Sequence, residues 1–103
     1  MGKRYQLIFD KVIKKQLTSV DSLIKSLLTK LFDKMECLGP QAGNLIDSKL
    51  HLYEMKQKRP PIRLYFRYIF STDELQVFEF EMKKRPIKQK KTISKLRKKL
   101  SES

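Results

Sequence analysis

Three runs of alternating apolar and polar residues, Leu50 to Lys56, Arg63 to Phe70 and Leu75 to Lys83, follow one another with only short breaks between them. Pro60-Pro61 interrupts the first pair and Ser71-Thr72-Asp73-Glu74 the second; proline cannot donate to a ladder, and Ser and Asp favour turns. Breaks this short leave no room for a crossover, so the three runs form an antiparallel meander. Successive side chains on a strand point to opposite faces. In the middle run Leu64, Phe66, Tyr68 and Phe70 therefore share one face, and Arg63, Tyr65, Arg67 and Ile69 the other. In the last run Phe78, Phe80 and Met82 oppose Val77, Glu79, Glu81 and Lys83. The aromatic face is expected to seal a core, which leaves Arg63, Arg67, Glu79, Glu81 and Lys83 on an open face.

The cover for that core lies upstream. Val20, Leu23, Ile24, Leu27, Leu28, Leu31, Phe32 and Met35 recur every three or four residues, a wide apolar stripe on one helix. Thr18 and Asp21 resemble a capping box, and Leu38-Gly39-Pro40 is a strong stop. Cys37, the single cysteine, sits on this helix and reads as small core filler. Before the helix, Arg4 to Phe9 reads as a short strand, with Asp10 capping a short helix; after it, a loop runs from Gln41 to Asp47. Ile93, Leu96 and Leu100 suggest a short basic helix begun near Thr92. The expected fold is α+β: an N-terminal strand and helices on one face of a small antiparallel sheet, mixed at its edge, with a short basic C-terminal helix. Residues 1–103 read as one domain, of which 83–103 is the basic C-terminal segment.

Charge narrows the partners. The chain carries +13, and Lys83 to Ser103 holds ten Lys/Arg against one acid, Glu102. A field this dense beside a folded body attracts polyphosphate, which makes nucleic acid the first partner to consider. No apolar run approaches the roughly 20 residues of a membrane span, and the amino terminus lacks a signal-peptide core, so a soluble cytoplasmic protein with no membrane partner is expected. There is no Gly-rich phosphate loop, no His/Cys cluster and no nucleophile triad. The sequence thus offers no support for nucleotide hydrolysis, a metal site or Ser/Cys hydrolysis, and no cofactor is expected.

The order of elements, with the segments "KLHLYEMK" (49–56), "IRLYFRY" (62–68) and "VFEFEMKKR" (77–85), resembles the RelE/ParE superfamily of toxins, above all its RelE and HigB-like branches. The resemblance spans about residues 4 to 100. It implies a toxin of a type II toxin-antitoxin pair, with a cognate antitoxin and the ribosome with its mRNA as partners. The implied activity is a metal-independent endoribonuclease, in which the ribose 2′-OH attacks the adjacent phosphodiester. Such an enzyme must ease deprotonation of the 2′-OH, neutralise the phosphorane and protonate the leaving 5′-oxygen. Arg and Lys suit the second task, the guanidinium offering a planar fork of donors to phosphate oxygens.

By position, the resemblance assigns catalytic places to Lys56, to Arg63 in the Arg-Leu motif and to Arg85. Lys91 stands where RelE carries a Tyr on its terminal helix. Arg67, Lys83, Lys84, Lys88 and Lys90 would hold RNA phosphates. Glu54 occupies a place where RelE has a Lys. The acid and base stay open among Tyr65, Tyr68, Lys91 and the lone His51, which reads as a surface residue at a strand start. Arg63 and Arg67 could instead pair across strands with Glu79 and Glu81. Two further readings share the fold: a ParE-like gyrase inhibitor, and a non-catalytic basic RNA-binding module.

Overall fold

Alternation and turn chemistry give the meander its shape in the computed structural model, which describes residues 5–82 and 86–102, with the side chains of 86–88 outside the description. Strand β1 (Gln6–Phe9) leads into helices α1 (Lys11–Ser19) and α2 (Ser22–Leu38). A single 3-10 turn, Gly39–Ala42, then feeds strand β2 (Asn44–Asp47). The meander is β3 (Leu52–Gln57), β4 (Ile62–Ile69) and β5 (Glu74–Met82), and helix α3 runs from Pro86 to Ser101. The five strands form one sheet in the order β1-β5-β4-β3-β2. β1 pairs parallel with β5, and the other neighbours are antiparallel.

The short helix and the long striped helix are separated at Val20, whose extended backbone ends α1 and which thus lies outside α2. Asp21 caps α2 by accepting the N–H of Ile24 at 2.9 Å. The expected Thr18 capping box does not form: Thr18 bonds instead to the carbonyl of Lys15. At the other end Gly39 takes φ 63° and returns its N–H to the carbonyl of Met35. A Cβ at Gly39 would collide with the ring of Tyr5, so both backbone sign and space require glycine.

Both faces of the sheet are buried. On one, Ile13, Leu28, Leu31, Phe32 and Met35 from α1 and α2 meet Met55, Ile62, Leu64, Phe66, Leu75, Val77 and Phe80. At about 1.5–3 kcal/mol per fully buried large side chain, this layer dominates stability. On the other, Leu96, flanked by Ile93 and Leu100 of α3, lies on Leu52, Tyr65 and Phe78. The face expected to lie open is therefore covered by the terminal helix, and Glu79 and Glu81 are buried beneath it.

Several expectations are corrected here. Strict alternation put Phe78 with Phe80 and Val77 opposite, but β4 pairs Tyr65 with Glu79 and Phe66 with Val77. The bulge leaves Phe78 unmatched, sends Val77 into the main core and turns Phe78 under α3. With a core on each face, neither apolar neighbour is forced into water. The loop expected through Asp47 contains edge strand β2, and α3 begins at Pro86 and not near Thr92. Phe70 lies past the end of β4, 72% exposed, Leu23 of the stripe faces solvent, and Cys37 is exposed and fills no core. The remaining edge of β5 is blocked by a side chain: the amide of Gln16 donates to the carbonyl of Phe80 at 2.8 Å and accepts its N–H at 3.0 Å, as a paired peptide would.

Candidate functional site

Strand register places six polar side chains in two rows on the face beneath α3. Lys56, Arg63 and Glu81 stand side by side across β3, β4 and β5, and Glu54, Tyr65 and Glu79 form the next row. The contacts run diagonally between the rows. Arg63 Nη1 donates to Glu54 Oε2 at 2.9 Å, and Gln89 Nε2 of α3 donates to the same oxygen at 2.8 Å. Lys56 Nζ is 3.7 Å from the other oxygen, Oε1. Tyr65 Oη and Thr92 Oγ1 donate to the two oxygens of Glu81 at 2.7 and 2.6 Å, and Lys95 Nζ to Glu79 at 3.0 Å.

Glu54, Glu79 and Glu81 are only 4, 7 and 6% exposed. A carboxylate this deep needs compensating partners: Glu54 and Glu79 each have a cation, and Glu81 accepts two hydroxyl hydrogen bonds. The three acids thus hold α3 onto the sheet, and Glu54 at the same time holds Arg63 in place. Arg97 of α3 adds a bond to Asp47, and Lys99 adds one to Asp10 while standing 5.6 Å from the Phe78 ring centroid. Burial, and then the bond to Glu81, push the Tyr65 phenol far above its ordinary range. Tyr65 is thus held as a protonated donor to Glu81.

Of the residues singled out from sequence, Lys56 and Arg63 come together as direct cross-strand neighbours. Among the described contacts Arg63 pairs with Glu54, and not with Glu79 or Glu81. Arg67 lies four residues further along β4, about 13 Å away, opposite Leu52 and Gln76, with its Nε buried and without a hydrogen bond. It makes no ion pair with Glu79 or Glu81 among the described contacts: Glu79 is taken by Lys95, and Glu81 by Tyr65 and Thr92. Lys90 and Lys91 are exposed on α3. Lys83, Lys84, Arg85 and the side chain of Lys88 lie outside the described residues.

Two acid-base candidates are remote from the cation pair. Tyr68 packs on the opposite, helix-covered face, where it donates to Asp73, a bond that pushes its phenol up to about 12. His51 belongs to the turn before β3, with φ 53° and an exposed ring 6.0 Å from that of Phe70. The group sequence reasoning undervalued is Glu54. Its signal was present: two residues before Lys56 on the same strand, it shares that residue's face, and the tight β3–β4 connection brings that face to Arg63. Gln89 and Thr92 were also missed, because only the docked position of α3 gives them a role. Among the described residues no group of three His, Cys, Asp or Glu is arranged to hold a metal, and no helix is long and apolar enough to cross a membrane.

A mixed five-stranded sheet with two helices on one face and a basic helix across the other defines a RelE-like fold, and solved structures share it. A chain of the intact RelBE toxin-antitoxin complex of E. coli superposes with a TM-score of 0.63 at 22% identity, covering 79% of this chain and 99% of that one. The isolated E. coli RelE toxin gives 0.65 at 20% identity over 89% and 98%. The RelBE2 toxin-antitoxin complex of Mycobacterium tuberculosis gives 0.66 at 12% identity over 81% and 95%. No protein-family model and no curated protein matches the sequence. The resemblance seen in the sequence is thus borne out in the fold.

Proposed function

We propose that this protein is the toxin of a type II toxin-antitoxin pair and that it cuts mRNA on the ribosome. The observation that carries the reading is the pairing of Lys56 with Arg63 on adjacent strands, beside a carboxylate that fixes the guanidinium. A phosphodiester laid across these cations would meet a planar fork of donors from Arg63 and a point charge from Lys56, which together neutralise the phosphorane. Glu54, bonded to Arg63 and close to Lys56, is the carboxylate best situated to accept the 2′-OH proton once Gln89 moves off it. Arg85 would add a third cation by resemblance. RelE-like structures solved as toxin-antitoxin complexes support an antitoxin partner for this chain, one whose acidic side chains compete for Arg63.

The test is induced expression followed by mapping of mRNA 5′ ends, with native protein beside Arg63→Ala and Lys56→Ala variants. Cuts at a fixed place within codons, absent in both variants, are expected. Growth arrest with intact mRNA would overturn the nuclease reading in favour of a gyrase-type target. No arrest and no cutting would leave a non-catalytic RNA-binding module.

A further inference from the structure

The flank of α3 that faces β2 carries a depression of about 320 Å³ lined by Ile46, Lys90, Ile93, Ser94 and Arg97. Lys90, Ile93, Ser94 and Arg97 fall at i, i+3, i+4 and i+7, so one helix face supplies four of its five walls. Ile46 and Ile93 pack against the second core and give an apolar floor. The two cations stand at either end, about 10 Å apart along the helix axis.

Arg97 is held in place. Its Nε donates to Asp47 Oδ2 at 2.9 Å, while Asp47 Oδ1 accepts the N–H of Leu50 at 3.1 Å. That backbone bond, more than Arg97 itself, keeps the Asp47 carboxyl below its ordinary value, so the anchor stays charged. A guanidinium bound through Nε still has the four N–H donors of its terminal nitrogens for a phosphate. Lys90 follows directly on Gln89, which touches Glu54 in the site, so the depression begins where that site ends.

We propose that this depression is a nucleotide subsite for single-stranded RNA: a base rests on Ile46 and Ile93, and its flanking phosphates lie on Lys90 and Arg97. The inference rests on the functional reading above and extends it to a nucleotide beside the cut. An apolar floor between two cations matches a flat base flanked by charged phosphates, and exposed Lys91 and Lys98 on the same helix reinforce the field. Ser94 adds a hydroxyl that can hydrogen-bond a sugar or a base edge.

The experiment is fluorescence anisotropy of a short, unstructured, fluorescein-labelled oligoribonucleotide over a salt series, with circular dichroism of every variant to check folding. Losing two phosphate contacts in a Lys90→Ala, Arg97→Ala double variant should weaken binding about tenfold at low salt. It should also flatten the slope of log affinity against log salt by about 1.4. Lys90→Ala alone, at an exposed helix position, should flatten it by about 0.7, whatever becomes of Asp47. An unchanged slope in both variants, with RNA still bound, would overturn the subsite and leave the functional reading standing. Failure of native protein to bind RNA would overturn the subsite, while the functional reading would still stand or fall on the mapping of mRNA 5′ ends. RNA binding unchanged while an acidic antitoxin segment is lost would assign the depression to protein, against the proposal.

Discussion

Replacing Arg63 by Ala should cost stability as well as activity, and the two losses can be separated. The side chain of Glu54 is 5% exposed and that of Arg63 18%, so the variant leaves a buried carboxylate without its closest cation. Breaking such a pair typically costs about 3–5 kcal/mol. Here Gln89 still donates to Glu54, and Lys56 stays 3.7 Å away, which brings the loss below that range, to about 2–3 kcal/mol. For a chain of this size that lowers Tm by about 10–20 °C. Adding Glu54→Gln removes the buried charge and should return about 1–2 kcal/mol, because the amide oxygen still accepts from Gln89. Urea melts of the native, single and double variants form a double-mutant cycle with an expected coupling near 2 kcal/mol. mRNA cutting should be absent from the double variant although its stability recovers. If Arg63→Ala costs less than about 0.5 kcal/mol, or Glu54→Gln simply adds its own loss, the buried-pair argument is wrong.

Gln16→Ala removes both bonds to the backbone of Phe80 and should cost about 1–3 kcal/mol in a urea melt. It should also give concentration-dependent association by light scattering, since the β5 edge is then open. Gly39→Ala, at φ 63° and against the ring of Tyr5, should lose at least about 2 kcal/mol; a thermal melt like that of native protein would remove the argument for glycine there. Tyr65 has a folded pKa above its ordinary value of 10.0, so the stability it contributes is whole below pH 10 and lost as pH rises past it. The stability advantage of native protein over Tyr65→Phe should therefore shrink above about pH 10; a constant difference would show that the phenol does not titrate with unfolding.

The meander and the helix stop at Gly39 could be read from the chain because they rest on short-range rules, whereas Lys56 and Arg63 were brought to one site only by the resemblance. A two-residue period, a proline pair and a left-handed glycine act within a few residues. Both the short and the long helix were expected, but the long one was started too early, because apolar periodicity takes in Val20 and because Asp21, the cap itself, was read as part of a box with Thr18. The bulge at Phe78 was missed for a related reason: alternation presumes one apolar face, and this sheet has two.

What the sequence determined by itself is therefore local: the three strands of the meander, the helices before them, the alternation along β4, and the gathering of positive charge at the carboxyl end. Only the tertiary structure decided what that charge does. Docking α3 across the sheet turned an expected open face into a buried one, and desolvation then required a partner for every acid there: Arg63 and Gln89 for Glu54, Lys95 for Glu79, Tyr65 and Thr92 for Glu81. Those partners come from segments up to 35 residues apart in the chain. No spacing rule reaches that far, since the pairing is set by where apolar surface is buried and by the cost of leaving a charge alone beside it.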